Sequence, residues 1–158
     1  MRQLLLLCGW LACAAWVPPA PASISTAPSS AEGPLAHLLH ALGTQYRYGG
    51  SSLKTGFDCS GLIAHVFEQS WGIALPRTAA GQSRVGKPVK RRDLIPGDLV
   101  FYNTRNQPYS HVGMYIGNGR FVHAPKPGAR VRVERVDTSY WRARFNGARR
   151  LDIDNSSH

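Results

Sequence analysis

The sequence has 158 residues, of which 43% are hydrophobic and 18% are charged; domains most often hold about 100 to 150 residues, so this length suits a single domain. The composition excludes a multidomain machine and a wholly disordered chain, and no apolar run reaches the roughly 18 to 20 residues that a membrane-spanning helix needs. Nineteen Lys and Arg against nine Asp and Glu give a net charge of +10, which indicates an anionic partner without choosing among nucleic acid, cell wall and lipid headgroups.

The amino terminus has the pattern of a bacterial secretory signal. A basic second residue is followed by an apolar stretch from Leu4 to Val17 and by a Pro- and Ala-rich end, Ala20-Pro21-Ala22. Small residues at these positions suit signal peptidase, so we predict that residues 1–22 are removed and that the mature chain begins at Ser23. The alternative is a lipoprotein whose lipid-modified amino terminus is Cys13. Both interpretations predict an exported protein of the periplasm or cell envelope.

The remainder of the sequence divides into three predicted segments. Residues 23–33 are rich in Pro, Ser and Ala, which is typical of a flexible tether. Residues 34–152 hold the periodic apolar patterns of a folded domain, and residues 153–158 are predicted to be a tail.

The domain is predicted to begin with an amphipathic helix over residues 34–43, ended by Gly43. Four leucines recur there at helical spacing: Leu35, Leu38, Leu39 and Leu42. His37 and His40 share this helix, but no third metal ligand is suggested nearby, so we interpret them as surface residues. We expect neither a metal nor an organic cofactor.

Cys59 is the one cysteine outside the predicted signal, and the domain therefore cannot form an internal disulfide. Asp58 precedes an apolar helical pattern, which predicts a capped helix with Cys59 in its first turn. Backbone N–H groups and the helix dipole favour a thiolate there, so we predict a lowered thiol pKa and a nucleophilic cysteine. Ser60 and Gly61 keep the turn small, so that a substrate carbonyl can reach backbone donors of the kind that form an oxyanion hole. The alternative is a buried, inert thiol.

The second half of the chain predicts an antiparallel sheet of short strands between Gly, Pro and Asn turns. The predicted strands are Asp98–Tyr102, His111–Ile116, Arg120–Ala124 and Arg130–Val136. Asp98 is predicted to fix the turn into its strand. The fold class is therefore α+β, with amino-terminal helices packed on an antiparallel β-sheet.

The hairpin around Gly117-Asn118-Gly119 decides where two histidines lie. With a three-residue loop, Ile116 pairs with Arg120, Gly113 lies opposite His123, and His111 and His123 share one face. A two-residue Asn-Gly turn, which is a favoured hairpin turn, would separate the histidines. In the first register a nucleophile, a general base and a group that orients the base are all available.

Several motifs together resemble the NlpC/P60 family of cell-wall cysteine peptidases. They are Tyr46-Arg-Tyr-Gly-Gly, Phe57-Asp-Cys-Ser-Gly-Leu-Ile, Leu75-Pro-Arg-Thr, Pro96-Gly-Asp-Leu-Val-Phe, Ser110-His-Val-Gly-Met-Tyr-Ile-Gly and Phe121-Val-His-Ala. The resemblance runs from about Leu35 to Leu151, and motifs of this number in this order are specific.

The resemblance implies a compact papain-like α+β fold and a set of site residues. Cys59 would be the nucleophile, His111 the base, His123 the orienting residue and Tyr46 a donor to the oxyanion. The substrate cleft would be lined by Asp58, Ser60 and Arg77, although Asp58 could equally serve only as a helix cap and Arg77 only as a brace for its loop.

We therefore expect a secreted, monomeric peptidase that hydrolyses an amide of the peptidoglycan stem peptide or cross-link through a thioester acyl-enzyme. Basic runs at 87–92 and 142–150 would favour an anionic wall or membrane surface, and we expect no nucleic-acid partner because no recognition motif is present. Other interpretations remain open: a related cysteine amidase or acyltransferase, a non-catalytic wall-binding module, and a phage or tail-associated hydrolase, against which the export signal argues.

Overall fold

The computed structural model of the protein describes residues 33–153, so the predicted signal and most of the predicted tether and tail lie outside the described residues. The helices are α1 (Pro34–Ala41), α2 (Cys59–Trp71), α3 (Ala79–Gln82) and α4 (Ser139–Arg144), with a 3₁₀ turn at Arg91–Asp93. The strands are β1 (Ser51–Ser52), β2 (Gly56–Phe57), β3 (Lys87–Val89), β4 (Leu99–Tyr102), β5 (His111–Gly117), β6 (Arg120–His123), β7 (Arg132–Arg135) and β8 (Phe145–Arg150). None of these helices has the length and apolar character needed to cross a membrane.

Six strands form one antiparallel sheet in the order β3-β8-β4-β5-β6-β7, and β1 pairs with β2 in a separate small hairpin. The predicted α+β architecture is confirmed. One face of the sheet packs against α1 and α2 through fully buried side chains that include Leu38, Phe67 and Phe101. The opposite face packs Tyr102 and Phe121 against Trp141 of α4. The sheet therefore carries apolar side chains on both of its faces.

The β5–β6 hairpin has the two-residue turn, but beyond a bulge its strands pair in the register expected for the three-residue loop. Gly117 pairs with Arg120, so the three-residue loop, in which Ile116 would pair with Arg120, is not formed, and the expectation that a two-residue turn separates the histidines is wrong. The turn is the two-residue Asn118-Gly119, and both residues have the positive φ that a type I′ turn requires. A β-bulge between Tyr115 and Gly117 absorbs one residue. Beyond it Tyr115 pairs with Phe121 and Met114 with Val122, which is the predicted register.

The structure adds β3, α4 and β8, which the sequence pattern did not indicate. β8 reads Phe-Asn-Gly-Ala-Arg-Arg without alternating apolar residues, and its neighbours β3 and β4 supply its backbone pairing. α1 ends at Ala41, two residues before the predicted end, because Leu42 leaves the helix with an extended ψ of 138°. Ile153, assigned to the tail, packs against the core.

Asp98 has the predicted role of fixing the turn into β4. Its Oδ2 accepts the backbone N–H of Ile95 at 2.8 Å. The buried carboxylate also accepts from Arg150 of β8, Nε to Oδ1, at 2.7 Å. Part of the basic run at 142–150 therefore ties strands together.

Candidate active site

Three of the predicted site residues line one cleft of about 470 Å³: Tyr46, Cys59 and His111. Cys59 is the first residue of α2, and α2 packs against β5, which begins at His111. Asp58 caps α2 as predicted, because its Oδ1 accepts the backbone N–H of Gly61 at 2.7 Å. The capped start of α2 and the first residue of β5 thus meet at the same cleft.

His123 lies directly behind His111. His111 Nε2 and His123 Nδ1 are 2.8 Å apart and hydrogen bonded, and both rings are buried. Gly113 makes room for this pair, since a Cβ there would lie 2.8 Å from the carbonyl oxygen of Val122 and 3.2 Å from His123 Cβ. The prediction that the two histidines share a face with Gly113 between them is confirmed.

Burial controls the charges of the nucleophile and base candidates. Burial, and next the neighbouring His123, holds the pKa of His111 well below its usual value of 6.5. Burial raises the pKa of the Cys59 thiol, although hydrogen bonds from the backbone N–H groups of Val112 and Ser60 act in the opposite direction. The prediction that the helix start lowers this pKa is wrong, because desolvation outweighs the backbone donors. Both shifts therefore favour the neutral forms of the thiol and the imidazole in the free protein.

Tyr46, which lines the cleft together with Cys59, is held in place by backbone contacts. Its N–H donates to the carbonyl of Ala129 at 2.9 Å, and it forms a parallel bridge with Phe57, two residues before Cys59. Burial and the neighbouring Cys59 raise the pKa of the Tyr46 phenol, while Arg105 acts to lower it. The hydroxyl therefore stays protonated and able to donate a hydrogen bond.

Asp58, Ser60 and Arg77 form one network next to a second cavity that they line together with Cys59. Arg77 Nη1 donates to Asp58 Oδ1 at 2.9 Å and Nη2 to Oδ2 at 2.8 Å. Ser60 Oγ donates to the Arg77 carbonyl at 2.7 Å. Desolvation acts to raise the pKa of Asp58, but the hydrogen bonds from Arg77 and Gly61 prevail and lower it. Asp58 and Ser60 are buried and engaged, whereas Arg77 is 44% exposed.

Gly61 has a packing role that the sequence did not indicate. A Cβ at this position would lie 2.0 Å from the carbonyl oxygen of Gly50. The absence of a side chain therefore allows the Gly-rich loop to pack against α2. This contact fixes the position of the Gly-rich loop. Gly49 of that loop donates its backbone N–H to Asp58 Oδ2 at 2.9 Å.

Three residues that the sequence reasoning missed also line the cleft of Cys59 and His111: Arg105, Glu134 and Trp141. Arg105 acts electrostatically on Cys59, Tyr46 and His111. The Trp141 ring stacks on His111 with centroids 5.7 Å apart, and its Nε1–H donates to Glu134. Strand alternation puts Glu134 on the same face as Arg132, but its place near His123 depends on the β6–β7 register, in which Arg132 pairs with His123.

Among the residues that the structure describes, no three His, Cys, Asp or Glu side chains lie together in a way that could hold a metal ion. His37 and His40 belong to α1.

Comparison with known proteins places the chain in a family. The family model described as "NlpC/P60 family" matches residues 43–150. The murein DD-endopeptidase MepH of Escherichia coli K12 is 40% identical over 117 residues, which cover 72% of this chain and 43% of the relative. The gamma-DL-glutamyl hydrolase of Bacillus subtilis 168 is 39% identical over 131 residues, covering 82% of this chain and 32% of the relative.

The fold comparison agrees. The crystal structure of an NlpC/P60 family protein from Bacillus cereus ATCC 10987 superposes with a TM-score of 0.71 and 32% identity, over 80% of this chain and 41% of that one. The chain spans less than half the length of both curated relatives. Because the family match covers more than half of the chain, this protein belongs to the NlpC/P60 family.

Proposed function

We propose that this protein is a cysteine peptidase that hydrolyses an amide bond in the stem peptide or cross-link of peptidoglycan. The observation that carries the proposal is that Cys59, at the start of α2, lines the same cleft as His111, which is hydrogen bonded to a second buried histidine. The name of the relative MepH, a murein DD-endopeptidase, supports peptidoglycan as the substrate.

In the proposed reaction His111 removes the proton of Cys59 as the sulfur attacks the substrate carbonyl carbon. A neutral imidazole beside a neutral thiol suits this role, because the base must be unprotonated at the start. His111 then gives the proton to the departing amine, leaving a thioester on Cys59. Water, activated by the same imidazole, hydrolyses the thioester and regenerates the thiol.

The oxyanion formed during attack would receive hydrogen bonds from the Tyr46 hydroxyl and from the backbone N–H groups of the first turn of α2. Within that turn the Gly61 N–H is already bonded to Asp58 Oδ1 and the Leu62 N–H to the Asp58 carbonyl, so the N–H groups of Cys59 and Ser60 are the ones that would bind a developing negative charge. The protonated state of Tyr46 supports its role as a donor.

Cationic side chains around the two cavities suit an acidic substrate. Arg105, Lys126 and Arg132 line the larger cavity, and the exposed guanidinium of Arg77 lines the smaller one. Stem peptides carry carboxylates, and these side chains would attract them. Asp58 and Ser60 would shape the smaller cavity and hold Arg77 in place.

We further propose that the protein is exported to the periplasm or cell envelope, with or without a lipid on Cys13. The basic start and apolar stretch of residues 1–22 support export, and the net charge of +10 supports retention on an anionic wall or membrane surface.

The test is digestion of purified muropeptides followed by mass spectrometry of the new ends. We expect cleavage of cross-linked dimers or of stem peptides at an amide bond, with one water added per cut. Poly-γ-glutamate serves as the competing substrate, because a relative is a gamma-DL-glutamyl hydrolase. Cleavage of that polymer alone, or transfer of the acyl group without hydrolysis, would reject the proposal. Binding to intact walls without any new end would identify a non-catalytic module instead.

A further inference from the structure

Glu134 is fixed beside the histidine pair by contacts to three elements. Its carboxylate accepts the indole N–H of Trp141 from α4 and the Nε–H of Arg132, at 2.6 Å, from its own strand. Its Oε1 lies 3.4 Å from His123 Nε2, on β6. Its side chain is only 24% exposed. These contacts hold a carboxylate at the far end of the His123 ring from His111.

His123 Nε2 has no hydrogen-bond partner of ordinary geometry within the described residues. A separation of 3.4 Å exceeds the roughly 2.7 to 3.2 Å of a typical N–H···O bond, so the contact with Glu134 is chiefly electrostatic. The nitrogen is nonetheless fully buried, and the carboxylate is the acceptor that it faces.

The neutral pair has two possible proton arrangements, because one of the two facing nitrogens must donate and the other accept. In the first arrangement His111 Nε2–H donates to His123 Nδ1, His123 carries a proton on Nε2, and His111 Nδ1 keeps a free lone pair. In the second, His123 Nδ1–H donates to His111 Nε2. His111 then carries its proton on Nδ1 and cannot accept one from a thiol.

The carboxylate distinguishes the two arrangements. In the first, His123 presents an N–H to the negative charge of Glu134, which is attractive. In the second, it presents a lone pair to a carboxylate oxygen 3.4 Å away, which is repulsive. Because His123 is fully buried, little water reaches this contact to screen the interaction.

We propose that Glu134 is a positioning residue that sets the tautomers of both histidines and thereby leaves His111 Nδ1 free to act as the base. This inference rests on the proposed function, in which His111 is the general base. Glu134 would then be the fourth residue of a chain of interacting side chains that begins with Cys59, His111 and His123. Trp141 stacks on His111 and lies edge-on to His123, and it donates to Glu134. These contacts fix the positions of the three side chains relative to one another.

Long-range ¹H–¹⁵N correlation spectra of the intact ¹⁵N-labelled protein test the proposal, because they distinguish an Nδ1–H from an Nε2–H histidine. Resonances are assigned with His111→Ala and His123→Asn variants. We expect Nε2–H for both His111 and His123 in the wild type. In Glu134→Gln and Glu134→Ala we expect the Nδ1–H form of His123 to become populated. An Nδ1–H form in the wild type, or tautomers unchanged in both variants, would overturn the proposal.

Kinetics give the second measurement. Glu134→Gln should lower kcat at least about tenfold, since general acid–base catalysis is worth about 100- to 10,000-fold and only part of the base population is lost. The matched control is Asp137→Asn, which removes an exposed carboxylate paired with Arg135 and should leave kcat unchanged. A Glu134→Gln kcat equal to that of the wild type would contradict the proposal. An inactive wild type would reject the proposed function, whereas the spectra would still report the tautomers.

Discussion

At the scale of single residues, the candidate base His111 is buried and the candidate nucleophile Cys59 is partly buried, and both environments favour the neutral form over a preformed ion pair. The helix start supplies backbone donors to Cys59, but burial and the adjacent Asp58 oppose ionisation. His111 is likewise kept neutral by burial. The thiol therefore depends on the imidazole to take its proton when substrate arrives, and the orientation of His111 becomes decisive.

The two histidines should differ in how much activity each contributes. His111→Ala removes proton transfer and should lower kcat/KM by about 100- to 10,000-fold. His123→Asn keeps a side chain that can hold the His111 nitrogen and should cost less, with His123→Ala between the two. Initial rates on one muropeptide over a pH series measure the order, and circular dichroism checks that each variant folds. Equal loss in His111→Ala and His123→Asn, or full activity of His111→Ala, would contradict the assigned roles.

At the scale of elements, the β5–β6 hairpin determines whether a histidine pair exists. The Asn118-Gly119 turn would by itself shift the register, and the bulge before Gly117 restores it. The pair then needs Gly113, whose position lies against Phe121, Val122 and His123.

Gly113→Ala should destabilise the protein by about 1 to 3 kcal/mol, the usual cost of overpacking. The added methyl would lie 2.6 Å from the Phe121 ring and 2.8 Å from a backbone carbonyl, which cannot move without disturbing β6. Activity should fall as well, because His123 lies within 3.2 Å of the new atom. Urea denaturation measures the stability. Gly33→Ala is the control, since nothing lies within 4 Å of its Cβ; equal stability of the two variants would contradict the expectation.

The sequence predicts the helices and strands whose apolar residues recur or alternate. It misses strands that form only because neighbouring strands supply their backbone pairing. α2 and the strands β4 to β7 follow from their patterns, whereas β8 follows from pairing with β3 and β4. The shared face of His111 and His123 could be predicted, but the bulge that produces it could not. Glu134 was missed because its place beside His123 depends on the β6–β7 register, which no turn motif in the sequence specifies.

At the scale of the whole molecule, the positive charge is partly used inside the fold. Arg150 pairs with the buried Asp98, and Arg77 pairs with Asp58. Arg105 and Lys126, in contrast, are exposed beside the cleft, where they add to its positive potential, whereas Arg132 is paired with Glu134.

Stability should fall steadily as the pH drops from about 6.5 towards about 2. The unfolded chain protonates its histidines near 6.5, whereas burial lowers the pKa of His111 and of His123 in the folded protein. The unfolded Glu134 protonates near 4.5, whereas the folded group has a pKa of about 2, mainly through its interaction with His123. In each window the unfolded state binds more protons, so acid favours unfolding. Urea midpoints at several pH values measure this, and a midpoint that rises on acidification would contradict the sign.

Export should yield a mature chain that begins at Ser23 and carries no lipid. The alanines at positions 20 and 22 suit signal peptidase. Amino-terminal sequencing and the intact mass of the protein recovered from its bacterial host decide the matter. A diacylated Cys13 at the amino terminus would show the lipoprotein alternative to be correct.

The role of Cys59 as nucleophile is tested by measuring peptide release from muropeptides by the Cys59→Ser variant. The serine preserves the shape of the side chain, but a hydroxyl is a far weaker nucleophile without stronger activation. We expect a loss of about 1,000-fold or more in the release rate, with an unchanged circular dichroism spectrum. Release by the serine variant at the rate of the wild type would contradict the cysteine mechanism.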